Sequence, residues 1–418
     1  MASLGSKHNF DVAVVGGGFA GLCLAIGLIK HNIPVTVYES AHRFGEIGAG
    51  VSLGSSAQRA MIGIDPRIAQ GFENVATYND WDSMKDVYFT FRFGEGPDAG
   101  KEFAHLRHEG RSGGVHRAHF LDELIKLVPE GVAKFGKRVV DVQQLPDGKV
   151  NLRFKDGTEA THTCVVGSDG IHSKIREYIL GEDDPAAQAV FTGKYCHRGL
   201  IPMDKAIEAI GEERAVNSQF YLGHDSHMLS LPINKGNIFN VVAFSSCKTW
   251  DHEKWVVPSE TKDIHEDFKD FGEPVQTIIN MMEHTDIWAL FNHLPARTYV
   301  KSNATIIGDA AHATTPHQGS GAGMAIEDSY VLSELMGRVQ EPRDIQKAFE
   351  AYEEIRKGRT LNLVETSRQA GMIWEMQDPG TAGEAEKIAA NASERWKWIW
   401  DEDLESEIKR GLALMGKA

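Results

Sequence analysis

A glycine-rich segment near the start of the chain carries the clearest chemistry in the sequence. Gly16, Gly18 and Gly21 of GGGFAG match the GxGxxG pattern, and Glu39 lies 18 positions after the last of them. Glycine permits the tight turn that lets a pyrophosphate approach the N-terminus of the following helix, and an acidic residue at this spacing accepts hydrogen bonds from a ribose. No second GxGxxG with an acidic partner occurs, so the segment predicts one tightly held dinucleotide.

A second glycine-rich segment lies far along the chain. Gly308-Asp309 follows a short apolar run, where an acidic side chain can meet a ligand hydroxyl; the alternative is a helix N-cap aspartate. The sequence GSGAG, which contains Gly321 and Ala322, then leads directly into a helix-forming stretch. Its backbone N–H groups are therefore expected to face an anion, which for a flavin would be the reduced ring.

The elements that must position these segments follow from hydrophobic patterning. Residues 10–15, 19–29 and 34–38 predict a strand, a helix and a strand, and residues 305–307 predict a buried strand followed by a helix over 324–335. We therefore predict an α/β fold in which a discontinuous Rossmann-like domain is combined with a β-sheet substrate domain and a C-terminal helical segment. The predicted ranges are 1–180 and 291–340 for the dinucleotide-binding domain, 181–290 for the substrate domain and 341–418 for the helical segment.

Composition restricts the class of protein. The chain has 418 residues and a formal net charge of −15, which repels nucleic acid and anionic lipid. The uncharged run 12–29 follows Asp11 directly and contains five glycines, which argues against a membrane span or signal peptide. The four cysteines are scattered without a CxxC pair, which argues against a disulfide framework, and the histidines lack the spacing that a metal site needs. A cytoplasmic enzyme is therefore expected.

Three motifs together identify a family resemblance. GGGFAG, GSDG and GDAAHATTPHQGSGAG resemble the single-component FAD-dependent aromatic hydroxylases, and within them salicylate hydroxylase, through EIGAGVSLGSSAQRA, VHRAHFLDEL, YLGHDSHMLSLPI and NVVAF. The resemblance implies that FAD is held by Gly16, Gly18, Gly21, Glu39, Arg117, Asp309 and the Gly321-Ala322 turn, with Ala49 and Gly50 near the ring and Asp169 linked to flavin and transient nicotinamide binding. For Arg117 a solvated surface arginine is the alternative, and for Asp169 a simple turn.

Two residues are expected to act on the substrate. His317 lies between the flavin-binding aspartate and the glycine turn, and an imidazole that titrates near pH 6.5 can accept a phenol proton and hold the resulting charge. Arg198 falls in the predicted substrate domain and can pair with a carboxylate, which suits a benzoate-like ligand. A packing histidine and a structural arginine are the alternatives.

The resemblance also implies a reaction. NADH, or NADPH, would reduce FAD, O2 would form the flavin C4a-hydroperoxide, and this would hydroxylate a small phenolic acid, converting salicylate to catechol with release of CO2. The alternatives are a hydroxylase of another hydroxybenzoate, a dearomatising hydroxylase of polyketide phenols, and a flavoprotein without monooxygenase activity. Leu231 stands where resorcinol-type relatives carry tyrosine, which weakens the dearomatising alternative. A homodimer is also expected.

Overall fold

The computed structural model describes residues 8–44, 50–108, 110, 113–258, 260, 262–283 and 286–417. Its strands are β1 (Val12–Val15), β2 (Val35–Tyr38), β3 (Gly50–Leu53), β4 (Val87–Phe93), β5 (Glu102–Arg107), β6 (Gly113–His116), β7 (Ala133–Lys134), β8 (Val139–Gln144), β9 (Val150–Phe154), β10 (Glu159–His162), β11 (Cys164–Gly167), β12 (Ala189–Pro202), β13 (Gln219–Leu222), β14 (Ser226–Ile233), β15 (Ile238–Ser246), β16 (Val256–Pro258), β17 (Asp286–His293), β18 (Val300–Lys301) and β19 (Ala304–Ile306).

The helices connect and cover these strands. They are α1 (Phe19–Lys30), α2 (Ser55–Ile64), α3 (Pro66–Val75), α4 (Arg117–Ile125), α5 (Lys174–Leu180), α6 (Met203–Ile210), α7 (Glu212–Val216), α8 (Ile264–Asp267), α9 (Glu273–Asn280), α10 (Asp309–His312), α11 (Gly321–Met336), α12 (Ile345–Trp374), α13 (Ala385–Arg395), α14 (Lys397–Trp400) and α15 (Leu404–Leu414).

A six-stranded sheet forms the Rossmann-like part of the molecule. Its strand order is β18-β19-β11-β1-β2-β7, and β19, β11, β1, β2 and β7 run parallel. β1 is buried at every position, as expected for a central parallel strand covered on both faces. Strands from the beginning, middle and last third of the chain thus share one sheet, which confirms the α/β fold class and the discontinuous assembly.

An eight-stranded mixed sheet forms the second part. Its order is β16-β17-β12-β15-β14-β13-β4-β5. Apolar and alternating runs at residues 219–222, 228–231 and 238–244 predict strands in the sequence, and the structure has β13, β14 and β15 there. The sequence does not predict that β4 and β5, which lie before residue 181, pair with β13 through β4. The domain boundaries remain a prediction, and β4 and β5 belong to the eight-stranded sheet although they lie before residue 181. The sequence gives no local signal of this, because the paired strands β4 and β13 are far apart in the chain.

The C-terminal helices are fastened to the Rossmann-like part by buried ion pairs. The guanidinium of Arg356 in α12 contacts Glu327 and Asp328 of α11 at 2.8 and 2.9 Å and Glu407 of α15 at 2.7 Å. All four side chains are buried, so removing any one of them would leave an uncompensated charge inside the protein. The network fixes α12 and α15 against α11.

Aromatic packing completes the attachment of the C-terminal segment. Trp396 stacks between Trp374 and Trp400, with ring centroids 5.9 and 5.8 Å apart. Trp396 and Trp400 are four residues apart, a helical spacing that in the sequence predicts packing rather than ligand binding, and both lie in the apolar cluster that covers β4 and β13. The end of α12 is thereby held against the eight-stranded sheet.

Candidate active site

The three motifs lie at one edge of the six-stranded sheet. The GGGFAG turn follows β1, Ser168-Asp169 follows β11, and Gly308-Asp309 comes shortly after β19. These three strands are parallel neighbours, so the segments after them meet at the carboxyl edge of the sheet. That edge is where open α/β sheets bind their ligands.

The first turn has no room for a Cβ atom at Gly16 or Gly21. Gly16 has φ +108°, and a Cβ there would lie under 3.0 Å from the Ser168 carbonyl; a Cβ on Gly21 would meet Ser168 Oγ at 2.7 Å and the Gly16 carbonyl oxygen. Glu39 reaches back to this turn and accepts a hydrogen bond from the Gly17 N–H at 2.8 Å. The glycines therefore bring backbone close to backbone, and Glu39 lies beside the turn; its hydrogen bonds to a ribose remain a prediction.

Two helices point uncapped N-termini toward this edge. α1 begins after Gly18 and α11 begins at Gly321 after Ser320, and neither N-cap makes a side-chain hydrogen bond. Uncapped N–H groups and the positive end of the helix dipole favour an anion at each position. Gly321 and Ala322 form the first turn of α11, and both retain partial exposure.

A buried carboxylate of α11 stabilises the turn that carries Asp309. Asp328 Oδ2 accepts hydrogen bonds from the Gly308 N–H at 3.1 Å and from His312 Nε2 at 2.6 Å. Gly308 has φ +58°, and the Asp309 side chain is exposed. The buried Asp328–Arg356 pair thus fixes the turn, while the Asp309 carboxylate stays free to meet a ligand hydroxyl.

The other predicted cofactor residues differ in what they contact in this structure. Asp169 accepts hydrogen bonds from Ser173 Oγ and the Lys174 N–H, so its carboxylate caps the start of α5 in this structure. Arg117 begins α4 and lies 5.5 Å from the ring centre of Phe19. Gly50 begins β3 and its N–H lies 3.4 Å from the side-chain oxygen of Asn240, whereas Ala49 falls outside the described residues.

One face of the eight-stranded sheet carries a patch of alternating residues from four adjacent strands. Side chains two apart on a strand share a face, and directly paired residues on neighbouring strands lie side by side. Arg198 and His227 belong to this face, two strands apart. Across β14, β15, β12 and β17, in that order, one row of directly paired residues is His227, Phe244, Cys196 and Trp288. The next row, across β14, β15 and β12, is Leu229, Val242 and Arg198.

His317 lies against this face. Its ring centroid is 5.1 Å from Phe244 and 5.2 Å from His227, its exposed fraction is 2%, and neither ring nitrogen has a hydrogen-bond partner. Burial, with smaller contributions from His227 and Lys194, moves the pKa of His317 well below the value of 6.5 assumed from the sequence. The ring is therefore neutral near pH 7, with both nitrogens without a partner, but it is a weaker base than the expected titration near pH 6.5 implied, which corrects our expectation.

Arg198 is only partly paired. Its guanidinium carbon lies 4.6 Å from the ring centre of Trp288, and its Nε is buried without a hydrogen-bond partner. A buried guanidinium nitrogen without a partner is costly unless an acceptor arrives. A ligand carboxylate over the Cys196–Phe244 patch would supply one.

His227 was not singled out from the sequence. Its Nδ1 lies 3.1 Å from Glu375 Oε1, and its Nε2 has no hydrogen-bond partner. A carboxylate that orients an imidazole in this way leaves the other nitrogen as a proton acceptor. Alternation along HMLSL would have placed His227, Leu229 and Leu231 on one face, but nothing in the sequence indicates which face meets His317.

Buried histidines give the fold a defined dependence on pH. Burial lowers the pKa values of His227 and His317, and burial together with nearby Arg176 lowers the pKa of His293 to about 3. In the unfolded chain these rings take up protons near pH 6.5, so the free energy of unfolding should fall below that pH by up to about 1.4 kcal/mol per pH unit for each histidine. Urea unfolding at pH 7.5 and 5.5 measures this; equal or greater stability at pH 5.5 would contradict it, and His293→Gln should weaken the dependence.

Among the described residues, no group of three or more His, Cys, Asp or Glu side chains is arranged to hold a metal ion. None of the helices in the described part of the chain is long and apolar enough to cross a membrane. The four cysteines are free.

Comparison with known proteins agrees with this geometry. The FAD binding domain family matches residues 128–367, and an NAD(P)-binding Rossmann-like domain matches residues 14–56. The chain is 42% identical to 6-methylsalicylate 1-monooxygenase atA of Aspergillus terreus (strain NIH 2624 / FGSC A1156), over 98% of this chain and 93% of that protein, and 34% identical to a salicylate hydroxylase of Pseudomonas putida, over 98% and 96%.

A solved structure shows the same fold. A salicylate hydroxylase substrate complex matches with a TM-score of 0.87 and 33% identity, covering 97% of this chain and 98% of that one. The chain therefore belongs to the FAD-dependent aromatic monooxygenases of the salicylate hydroxylase family. The residues present fit FAD, because the side-chain-free turn, Glu39 and two uncapped helix N-termini offer the donors and acceptors that a dinucleotide needs.

Proposed function

We propose that this enzyme hydroxylates salicylate or a close 2-hydroxybenzoate at the carbon that bears the carboxylate, forming a catechol and releasing CO2. The observation that carries the proposal is one sheet face with a partly unpaired arginine and an unpartnered buried imidazole on either side of an apolar patch. The patch consists of Cys196, Phe244 and Leu290, with Val242 and Trp288 beside it. A flat aromatic acid matches this arrangement in charge and in polarity.

Each residue has a separate task in this proposal. Arg198 pairs with the carboxylate and fixes which ring carbon is presented for attack. His317 accepts the phenol proton at a ring nitrogen, because the phenolate donates more electron density to the ring than the phenol does. Phe244 and Leu290 exclude water from the ring, which strengthens both polar interactions.

FAD, when bound, supplies the oxygen-transfer chemistry after reduction by NADH, and the protein supplies position and charge. The residues proposed to hold it are Gly16, Gly18, Gly21, Glu39, Arg117, Asp169, Asp309, Gly321 and Ala322, with Gly50 and Ala49 beside the ring. The choice of NADH over NADPH, the homodimer and the cytoplasmic location remain predictions.

A substrate panel tests the proposal. Purified, flavin-loaded enzyme is mixed with NADH and one of salicylate, 4-hydroxybenzoate, methyl salicylate or 2-methoxybenzoate, and products are identified by chromatography. We expect a catechol from salicylate alone, because the ester lacks the charge that Arg198 needs and the ether lacks the proton that His317 accepts. Hydroxylation of 2-methoxybenzoate at the salicylate rate would refute the assigned role of His317, and turnover of 4-hydroxybenzoate alone would favour the alternative hydroxybenzoate.

Replacement of Arg198 by alanine should weaken substrate binding. Loss of a charged hydrogen bond costs about 1.5–3 kcal/mol, so the salicylate dissociation constant should rise on the order of tenfold to hundredfold. The change in flavin absorbance on titration with salicylate measures this constant. Arg153→Ala, at an exposed arginine paired with Asp141, is the matched control, and an unaltered constant in Arg198→Ala would remove this arginine from the pocket.

A further inference from the structure

A buried polar cluster lies behind His227, on the side away from the proposed substrate. It forms where α12 ends, and its centre is Glu375, whose side chain is fully buried. Glu375 Oε1 accepts from His227 Nδ1 at 3.1 Å, and Glu375 Oε2 contacts both the Lys194 ammonium and the Ser246 hydroxyl. The cluster joins residues from β12, β14, β15 and the end of α12.

The cluster leads from the pocket to the protein surface. Lys194 Nζ also lies 2.9 Å from Ser246 Oγ and 3.2 Å from Gln377 Oε1, and its side chain retains 8% exposure. Gln377 Nε2 donates to the exposed carboxylate of Asp225 at 2.7 Å. A continuous set of hydrogen-bonded groups therefore runs from His227 to solvent.

The pocket end of this set is held rigidly. The His227 ring stacks on Phe244 at 4.5 Å with an interplanar angle of 11° and on Phe220 at 5.3 Å with an angle of 2°. With Nδ1 committed to Glu375, the acceptor nitrogen Nε2 is fixed in place, and the His317 ring lies 5.2 Å away. Two neutral imidazoles with unpartnered nitrogens thus adjoin each other at the substrate face.

The surroundings of His317 disfavour its charged form, so a proton that it accepts from the substrate needs a route to solvent. A positive charge on His317 is disfavoured by burial and by nearby Lys194. The titratable groups facing the two rings, within the described chain, are Glu375 after α12, Lys194 and Cys196 on β12, and the rings themselves. Burial raises the pKa of Cys196, so it stays a neutral thiol, and Glu375 is the one carboxylate among these groups.

We propose that Glu375, with His227 and Lys194, carries the substrate proton from His317 to solvent. The inference rests on the proposed function, because it needs a phenol that ionises beside His317. The phenol O–H bond breaks as His317 takes the proton. The two rings, 5.2 Å apart between centroids and not hydrogen-bonded to each other in this structure, then close on each other, so that His227 Nε2 receives the proton from His317 and the Nδ1 proton of His227 moves to Glu375. Lys194, whose side chain keeps 8% exposure, releases one ammonium proton to solvent and is reprotonated from the Glu375 carboxyl group, so one proton leaves the phenol and one enters solvent.

The test follows proton transfer without turnover. 5-Nitrosalicylate, whose phenolate absorbs at longer wavelength than its phenol, is mixed in a stopped-flow instrument with oxidised, flavin-loaded enzyme and a pH indicator dye. Wild type should form bound phenolate and release one proton. In Glu375→Gln both events should slow by about tenfold or more, while the probe dissociation constant changes by less than about threefold. Glu375→Asp should restore part of the rate.

Two further variants make the outcome decisive. Glu334→Gln breaks another carboxylate–histidine pair, with His31 at 3.0 Å on the Rossmann-like part, and should match wild type. If Glu375→Gln does not fold, the double variant Lys194→Met/Glu375→Gln leaves neither partner as an unpaired buried charge and is measured in its place. Wild-type rates in the folded variant would overturn the relay alone. A wild-type enzyme that binds no probe would overturn the proposed function, and the relay with it.

Discussion

Replacement of Gly21 by alanine should leave the protein unable to hold FAD. The new methyl group would lie 2.7 Å from Ser168 Oγ, which follows β11, and even closer to the Gly16 carbonyl oxygen, which belongs to the turn proposed to face the pyrophosphate. Relieving the contact requires that α1 move away from the carboxyl edge of β1, which removes the uncapped N–H groups from their ligand. We expect flavin absorbance per protein to fall at least tenfold in the purified variant, about 1.4 kcal/mol or more of lost binding, with monooxygenase activity falling in proportion.

A matched glycine separates this effect from a general loss of stability. Gly358 lies on the exposed side of α12, where an added Cβ meets no atom within 4 Å. Gly358→Ala should keep its full flavin content and gain about 0.5–1 kcal/mol of stability, because alanine is the better helix former. A yellow Gly21→Ala protein with unchanged FAD affinity would show that the GGGFAG turn does not bind the cofactor.

Replacement of His317 by alanine should abolish most hydroxylation while leaving FAD in place. General base catalysis contributes about 10²–10⁴-fold, so catechol formation per enzyme should fall by a factor in that range. NADH should still be consumed in the presence of salicylate, with hydrogen peroxide as the product. Parallel assays of catechol, peroxide and NADH measure the change, and His265→Ala, at an exposed histidine of α8, is the control.

The dependence on pH gives an independent check of this role. Because burial holds the pKa of His317 well below 6.5, the free enzyme keeps a neutral ring as the pH falls through 6.5. kcat/KM for salicylate, which reports the free enzyme, should therefore show no loss of the base between pH 8 and 6. A unit-slope decline centred near pH 6.5 that disappears in His317→Gln would show an unburied, ordinary imidazole.

The cofactor half of the molecule was readable from the sequence because its signals are local. A tight glycine turn, an all-apolar strand and a helix lie within thirty residues, and their geometry is set by backbone sterics and burial. The Rossmann-like fold, the position of Glu39 and the start of α11 near Gly321 followed from such patterns. The structure adds Asp328, which holds the Gly308 turn from twenty residues further along the chain.

The substrate half was only partly readable because its signals are distant. His227 and Glu375 are 148 residues apart, and their contact depends on α12 ending against β14. The pairing of β4 with β13 depends in the same way on tertiary packing, which strand propensity does not record. The low pKa of His317 could not be predicted from the sequence for this reason: a pKa is fixed by burial and neighbouring charges, and these depend on the tertiary structure.

The fate of the carboxyl carbon distinguishes decarboxylating hydroxylation from every alternative reaction. Salicylate labelled with ¹³C in its carboxyl group is turned over by the flavin-loaded enzyme with NADH in a closed vessel, and labelled CO2, catechol and consumed NADH are quantified together. We expect one labelled CO2 and one catechol for each substrate molecule consumed, with NADH use approaching the same amount. NADH consumed with peroxide alone, or a hydroxylated product that retains the label, would contradict it.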